Sequence, residues 1–364
     1  MKIEDIDFVY KKIPLERSFS TSTGGVSNSS SLFVRVVTSE GIVGYGSGYP
    51  TSMTDEDVKS ALYFSDMFKK NMIGKDPLRI EDLEKTMNGI TYGNPSVKFA
   101  FNTAFWDIFG KYHKAPIFEL MGYEKRSMPT SITIGINDQE AMIKDAIYWM
   151  GKGFRFFKVK LGDDVDFNIG ALGSIREQLG PEVSIRCDAN GAMSLNDARR
   201  FIKLARGLDL EFLEQPVKAE EDMAVLSVNS NIRIAGDESI PDKHYFPALL
   251  GKECFHIANI KLNRFGGITS GMKMVHAAEL YEVPCMIGCM SENAISIAAS
   301  LHLALAMGNV RFADLDTFLF LKYHPAKGIK VKRGVLSPSK APGLGVEVDK
   351  KIFKRGSKPS LSRS

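Results

Sequence analysis

Eight short apolar segments that follow one another after Gly122 constrain the fold of this chain more than any other feature. Stretches of helical period separate them, for example residues 139–150 and 269–281, and several of these stretches follow residues that cap helices. Strands joined by helices must run parallel with the helices outside, and eight is the strand number of a closed barrel. The eight predicted strands are residues 131–136, 156–161, 184–188, 210–214, 232–237, 255–262, 284–289 and 310–316.

The residues before this repeat follow a different pattern. Residues 2–50 alternate like antiparallel strands, with a turn at Glu40-Gly41, and residues 54–114 are helical in period. Between the first two strands, residues 19–31 read FSTSTGGVSNSSS, which is rich in Ser, Thr and Gly and has little to bury. We expect a loop there, either a mobile one that closes over a site or plain slack in a hairpin.

The residues after the eighth strand show no comparable helix and contain short strand and turn patterns instead. We predict that they return to the first domain. The fold class is therefore α/β, a (β/α)7β modified TIM barrel with an N-terminal α+β capping domain that the C-terminal segment completes. The predicted parts are a capping domain over 1–124, the barrel over 125–324, the returning segment over 325–355 and a disordered tail over 356–364.

Composition excludes several classes of function. The chain of 364 residues has 47 Lys and Arg against 43 Asp and Glu, too even a balance for a nucleic-acid or membrane surface. No apolar segment reaches the roughly 20 residues of a membrane helix, and the first residues lack the apolar core of a signal peptide. The four cysteines form no CxxC pair, which indicates reduced thiols. We predict a cytoplasmic homo-oligomer that acts on a small molecule, without nucleic-acid or membrane partners.

Charged residues stand at the ends of six predicted strands, where barrel enzymes carry their active sites. Asp188, Glu214 and Asp237 end three consecutive strands, so they should meet at one rim. A single acid there would be explained more simply as a helix cap. Three acids together would repel without a cation, and oxygen ligands favour Mg²⁺. The other strand-end residues are Lys158, Lys160, Lys261, Asp314 and Asp316.

The lysines indicate proton transfer. Lys158 and Lys160 share a face because side chains alternate along a strand, and their repulsion should lower the pKa of at least one of them and leave an amine that can act as a base. An isolated KxK is otherwise typical of a solvated edge strand. Lys160 and Lys261 lie on opposite sides of the acids, so one could remove a proton from a substrate carbon and the other return it. Removal of a proton from the carbon next to a carboxylate produces an ene-diolate, and Mg²⁺ stabilises the negative charge of this ene-diolate.

The segments KVK, DAN, EQP, GDES and NIKL, in this order and spacing, resemble the muconate-lactonizing subgroup of the enolase superfamily over nearly the whole chain. The resemblance implies that the three strand-end acids bind one Mg²⁺ per subunit. It also implies that Lys160 and Lys261 are the acid/base pair and that Lys158 neutralises the substrate carboxylate. No His stands in GCMSEN at the end of the seventh strand, which argues against the mandelate-racemase-like subgroup.

The eighth strand narrows the substrate. Asp314 and Asp316 share one face and could hold an ammonium group, and this DxD ending is similar to that of dipeptide epimerases, where it binds the α-ammonium of L-Ala-X. The resemblance implies a dipeptide epimerase that inverts the α-carbon of the C-terminal residue. The alternatives are an o-succinylbenzoate synthase or a cycloisomerase of the muconate-lactonizing type, whose substrates have no ammonium group, and a ligand-binding barrel without turnover.

Position alone places residues 134–136 and 289–291 at the predicted pocket wall. The predicted substrate contacts there are Thr133, Cys289 and Met290, and Gly24 joins them from the first domain. Alanyl-glutamate epimerases of the best-known type carry an arginine in the first-domain loop that pairs with the glutamate side chain. At the matching position this chain has Thr23-Gly24-Gly25. We therefore expect neutral or hydrophobic second residues beside glutamate.

Overall fold

The computed structural model describes residues 1–22 and 24–354. The predicted disordered tail, residues 356–364, lies outside the described residues, as does Thr23. The N-terminal part is an antiparallel sheet in the order β1-β2-β3 that packs on three helices. These elements are β1 (Ile3–Thr21), β2 (Gly24–Thr38), β3 (Val43–Gly48), α1 (Val58–Met72), α2 (Ile80–Ile90) and α3 (Pro95–Tyr112).

A row of glycines on β3 allows α3 to lie directly against the sheet. Gly46 and Gly48 are two residues apart and so share one face of the strand. A Cβ added to Gly46 would come within 1.8 Å of the Ala100 carbonyl oxygen, and one added to Gly48 within 2.0 Å of the Ser96 carbonyl oxygen. Any larger residue would push the helix off the sheet.

The expectation of a loop over residues 19–31 is wrong. β1 and β2 continue as an antiparallel hairpin up to the pair Thr21 and Gly24. Two serines of this segment, Ser29 and Ser31, are not solvated as their polarity suggested. Both are buried, and Ser29 donates its hydroxyl to the Ser291 carbonyl oxygen at 2.7 Å. A strand can bury such side chains when their hydrogen bonds are made.

Eight parallel strands form the nearly closed barrel that the sequence predicts, and each predicted segment contains one of them. Ser131 N donates to Ala313 O at 3.1 Å where the first and last strands meet. The helix α4 (Ile117–Leu120) and the strand β4 (Met128–Pro129) lead into the barrel. Its strands are β5 (Ile132–Ile134), β6 (Phe156–Lys160), β7 (Ser184–Asp188), β8 (Leu210–Glu214), β9 (Ile234–Gly236), β10 (Ile257–Lys261), β11 (Cys285–Gly288) and β12 (Val310–Asp314).

Helices follow the first seven barrel strands. Within residues 24–354 no α-helix follows β12, which is followed instead by the 3₁₀ turns Thr317–Phe320 and Lys350–Phe353 and by short strands. Several helices begin at the predicted caps. Asp138 accepts a hydrogen bond from Ala141 N, and Ser194 accepts one from Asp197 N. The helices are α5 (Gln139–Gly151), α6 (Val165–Leu179), α7 (Leu195–Leu204), α8 (Glu220–Asn229), α9 (Phe246–Gly251), α10 (Leu262–Phe265), α11 (Ile268–Leu280) and α12 (Ala294–Ala306).

Alternation along the strands places the charges above an apolar layer inside the barrel. Phe212 precedes Glu214 by two residues, and Phe312 precedes Asp314 in the same way, so each pair shares a face. The aromatic members belong to a small separate apolar cluster with residues of three other strands. The carboxyl ends of the strands, in contrast, carry the polar side chains of the candidate site.

The hairpin of β1 and β2 is attached to the barrel at the carboxyl ends of its strands. Ser20 O accepts a hydrogen bond from Ile136 N at 2.9 Å, and Ser22 Oγ donates to Ala189 O at 3.0 Å. These contacts join the hairpin to the residues after β5 and β7. The N-terminal domain therefore covers the end of the barrel where the charged side chains lie.

The C-terminal segment forms β13 (Ala326–Lys327), β14 (Lys330–Lys332), β15 (Val335–Ser337) and β16 (Glu347–Val348). It also contacts the first domain, since Leu344 N donates to Asp107 Oδ1 of α3 at 2.9 Å. Buried His302 of α12 accepts from Phe118 N at 3.2 Å and lies 3.0 Å from Leu344 O. Among the described residues, none of the helices is both long and apolar enough to cross a membrane.

Candidate active site

Lys158 is the centre of a buried charged cluster at the carboxyl ends of the barrel strands. Its Nζ lies 3.0 Å from Asp188 Oδ2, 2.8 Å from Glu214 Oε2 and 2.8 Å from Asp314 Oδ2. These acids end β7, β8 and β12, so three strands deliver them to one ammonium group. The structure thus brings together residues that are far apart in sequence but equivalent in the barrel repeat.

The two predicted acid/base lysines lie on either side of this cluster. Lys160 Nζ is 2.6 Å from Asp188 Oδ2 and 3.1 Å from Asn190 Oδ1. Lys261 Nζ is 2.6 Å from Asp237 Oδ2. Because β6 and β10 are separated by the three acid-bearing strands, the two amines approach the site from opposite directions.

Four polar residues that the sequence analysis did not single out hold the acids in place. Asn259 Nδ2 donates to Glu214 Oε1 at 2.7 Å, and Arg264 donates to Asp237 Oδ1 at 2.6 Å. The other two are Asn190, whose backbone N donates to Asp188 Oδ1, and Gln215, whose Oε1 accepts from Asp237 N. Asn190, Gln215 and Asn259 stand inside the motifs DAN, EQP and NIKL. These motifs could have identified them as site residues from the sequence.

Lys158 and Lys261 are held in the charged form by their acidic neighbours. Burial by itself lowers the pKa of Lys158, but the carboxylates of Asp188 and Asp314 outweigh it and raise the pKa well above its usual value. Burial likewise opposes the charge of Lys261, whose pKa the Asp237 carboxylate raises. The prediction that repulsion between neighbouring lysines lowers a pKa is therefore wrong at Lys158, because acids surround it.

Asp188, Glu214 and Asp237 fit a hard divalent cation by donor type and charge. All three are fully buried and offer carboxylate oxygens, the donors that Mg²⁺ prefers. Burial and the Asp188 carboxylate raise the pKa of Glu214 to about 8, so the lysines compensate its charge incompletely. As the described side chains lie, no three His, Cys, Asp or Glu residues are grouped closely enough to hold a metal ion, and Lys158 lies between two of the acids.

The two aspartates of DLD have different surroundings. Asp314 accepts from Ser131 Oγ at 2.8 Å and from Lys158 Nζ at 2.8 Å, so both of its oxygens are engaged. Asp316 Oδ2 accepts from Thr133 N at 2.6 Å, whereas its buried Oδ1 accepts no hydrogen bond from the described residues. Burial and the Asp314 carboxylate raise the pKa of Asp316 to about 7. Of these two aspartates, Asp316 is the one with an oxygen that has no hydrogen-bond partner in the part of the chain that the structure describes.

A cavity of about 350 Å³ lies against this cluster. Of the predicted residues, the lysines, both aspartates and the four wall residues line it, whereas Asp188, Glu214 and Asp237 lie beneath them. The lining residues that the sequence analysis missed include Val26, Tyr49 and Met53 of the first domain, which no local pattern connects to the barrel. The predicted lining residues are Gly24, Thr133, Lys158, Lys160, Lys261, Cys289, Met290, Asp314 and Asp316.

Comparison with known proteins identifies relatives over nearly the whole chain. A relative from Enterococcus faecalis named hydrophobic dipeptide epimerase is 33% identical over 95% of this chain and 99% of its own length. A crystal structure of a dipeptide epimerase from Enterococcus faecalis V583, complexed with Mg and the dipeptide L-Leu-L-Tyr, has a TM-score of 0.93 at 33% identity and covers 95% of this chain and 99% of its own. An L-Ala-D/L-Glu epimerase from Clostridium acetobutylicum is 31% identical over 95% of this chain and 99% of its own length. An N-succinyl-L-Arg/Lys racemase from Bacillus cereus is 28% identical, with 96% of each chain covered.

Two family descriptions match the two parts of the chain. Residues 5–122 match the N-terminal domain of mandelate racemase / muconate lactonizing enzyme, and residues 141–352 match the enolase C-terminal domain-like family. Both the predicted fold and the predicted resemblance are confirmed. The chain therefore belongs to the mandelate racemase / muconate lactonizing enzyme family of the enolase superfamily.

Proposed function

We propose that this isomerase is a Mg²⁺-dependent dipeptide epimerase that inverts the α-carbon of the C-terminal residue of L-Ala-X dipeptides, where X includes glutamate and neutral or hydrophobic residues. One observation carries the proposal. Lys160 and Lys261 flank three buried acids, and the same cavity holds the free carboxylate oxygen of Asp316. The epimerases and the racemase among the relatives support the enzyme class.

In this proposal Asp316 selects a substrate with a free ammonium group. Its Oδ1 is buried and lacks a partner among the described residues, and a buried polar atom of this kind favours a ligand that supplies a hydrogen. Asp314 is already paired with Lys158, so it adds negative charge nearby without offering a free oxygen. N-acylated substrates lack the charge that this carboxylate would bind.

Proton transfer falls to the two flanking lysines. Lys160 would act on one face of the α-carbon and Lys261 on the other, so that a proton removed by one is replaced by the other with inversion. Mg²⁺ held by Asp188, Glu214 and Asp237 would supply positive charge to the carboxylate of the ene-diolate. Lys158 would neutralise the same carboxylate once Asp188, Glu214 and Asp314 no longer form ion pairs with it.

The test is deuterium exchange across a dipeptide library. The enzyme is incubated with Mg²⁺ and L-Ala-L-X dipeptides in deuterated water, mass spectrometry follows the gain of one deuterium, and chiral chromatography follows the epimer. We expect deuterium gain and epimer formation for several X. Lys261→Ala should form no epimer, whereas Lys273→Ala, at an exposed lysine paired with Glu81, should retain both deuterium gain and epimer formation. Absence of exchange in every dipeptide would refute the proposal and favour an o-succinylbenzoate synthase or a cycloisomerase.

A further inference from the structure

A second cavity, of about 610 Å³, lies beside the candidate active site. It is enclosed by β1 of the hairpin, by the residues that follow β5 and by α5. Thr133 lines both cavities. The lysine-lined cavity, at about 350 Å³, is near the lower end of the roughly 300–1,000 Å³ that ligand pockets occupy. The neighbouring space would extend it considerably.

The position of Thr133 relates this second cavity to one end of the substrate. Thr133 N donates to Asp316 Oδ2, and the free Oδ1 of the same carboxylate is the proposed partner of the substrate ammonium. In a dipeptide, the ammonium and the first side chain are attached to the same α-carbon. The first side chain therefore starts close to Thr133, at the boundary between the cavities, while the second α-carbon lies toward Lys160 and Lys261.

The wall of the second cavity is mixed, with polar residues such as Ser20 and Asn137 beside an apolar and aromatic part. Ile134 and Met142 are buried there. Trp149 contributes an aromatic surface and stands edge-on to Phe320, with ring centroids 5.8 Å apart. The apolar and aromatic part favours a hydrophobic or aromatic group, since burying it removes apolar surface from water.

The charged residues at the rim of this cavity compensate one another. Arg17 and Asp145 form an ion pair of 3.0 Å, and the Arg17 guanidinium also lies 4.7 Å from the centre of the Tyr148 ring. Glu16 and Lys144, the other two charged lining residues, are both exposed and of opposite sign. The rim therefore offers no net charge to attract an ionic side chain.

We propose that this second cavity binds the first side chain of the dipeptide, so that the substrates include dipeptides with a large apolar or aromatic N-terminal residue. The inference rests on the proposed dipeptide epimerase function and extends it beyond an N-terminal alanine. It assigns recognition of the first residue to α5 and the hairpin. The second residue remains in the lysine-lined cavity.

Substitution of Ala141 tests this assignment. Ala141 lines the second cavity from α5, and Ala141→Trp would fill part of it. The readout is the kcat/KM of L-Phe-L-Ala divided by that of L-Ala-L-Ala. Native enzyme should give a ratio of at least one, and Ala141→Trp should lower the ratio tenfold or more. Ile147→Trp, at an exposed position of α5 outside the cavity wall, should leave the ratio unchanged.

Three results would overturn the assignment. They are a ratio unaffected by Ala141→Trp, a native enzyme that turns over L-Ala-L-Ala but not L-Phe-L-Ala, and a tenfold preference for L-Glu-L-Ala or L-Lys-L-Ala over L-Phe-L-Ala. If no dipeptide is epimerised, the proposed function fails, and calorimetric binding of the same dipeptides decides the subsite separately. Weaker binding of L-Phe-L-Ala alone by Ala141→Trp would then support it, and unchanged relative affinities would overturn it.

Discussion

Replacing Asp316 with asparagine should lower kcat/KM for free dipeptides by roughly 10- to 150-fold. The asparagine carbonyl can still accept the hydrogen bond from Thr133 N, which Asp316 Oδ2 accepts at 2.6 Å, while the free oxygen becomes an uncharged amide. The lost interaction is a hydrogen bond between charged groups, worth about 1.5–3 kcal/mol. At about 1.4 kcal/mol for each factor of ten in rate, this range gives the expected loss.

The assay compares two substrates with two enzymes. Rates of α-proton exchange are measured for L-Ala-L-Ala and N-acetyl-L-Ala-L-Ala with native enzyme and with Asp316→Asn. N-acetylation removes the ammonium, so the acetylated dipeptide should be a poor substrate for native enzyme. Its rate of α-proton exchange should be only slightly lower with the variant. The exposed Asp166, which pairs with Arg200 on the surface, provides the matched control Asp166→Asn, and this variant should behave like native enzyme with both dipeptides.

The refuting result is an equal loss with both dipeptides. Such a loss would mean that Asp316 supports the fold around Thr133 and does not bind the ammonium. Circular dichroism and thermal unfolding of Asp316→Asn separate a general loss of structure from a local one. A variant that is folded, that is slow only with the free dipeptide and that tolerates the acetylated one confirms the reasoning.

Three further predictions follow from the site and the fold. Lys160→Ala and Lys261→Ala should each abolish epimerisation while each retains deuterium exchange with only one epimer, and equal residual epimerisation in both would exclude a two-base reaction. Chelation should abolish activity that added Mg²⁺ restores, and Asp237→Ala should weaken Mg²⁺ binding measured by calorimetry. Burial lowers the pKa of His302 from 6.5 to about 4, so unfolding takes up a proton between these values and urea denaturation should show stability falling by about 3 kcal/mol as pH drops through them. His302→Gln should reduce this slope, and exposed His276→Gln should not.

The barrel and its charged residues were predictable because both follow from local periodicity. Side chains alternate along a strand, and equivalent strand ends meet at one rim, so a repeat of strand and helix places Asp188, Glu214 and Asp237 side by side without any knowledge of long-range contacts. Lys158 could be placed in the same way. The ionisation state of Lys158 could not be predicted, because its pKa depends on acids from other strands whose positions the sequence pattern gives only approximately.

The parts that the sequence did not reveal depend on contacts between domains. The segment over 19–31 has the composition of a loop, but buried Ser29 is stabilised as a strand residue by its hydrogen bond to the Ser291 carbonyl oxygen of the barrel. Tyr49 and Met53 line the cavity only because the first domain covers the end of the barrel. No periodic signal within a single element reports such docking, so these residues emerge only from the three-dimensional structure.

The distribution of buried charge supports a site that binds two cations of different kinds. Among the predicted site residues, more acids than lysines lie at the strand ends, and the charge of two of these acids is incompletely compensated. One is Glu214, whose carboxylate is shared between Asn259 and an already engaged Lys158, among oxygen donors that suit Mg²⁺. The other is Asp316, whose free oxygen is suited to a single N–H⁺ donor. A substrate that bears both a carboxylate and an ammonium, as the proposed dipeptide does, matches this division, because its carboxylate would meet the lysines and the metal while its ammonium would meet Asp316.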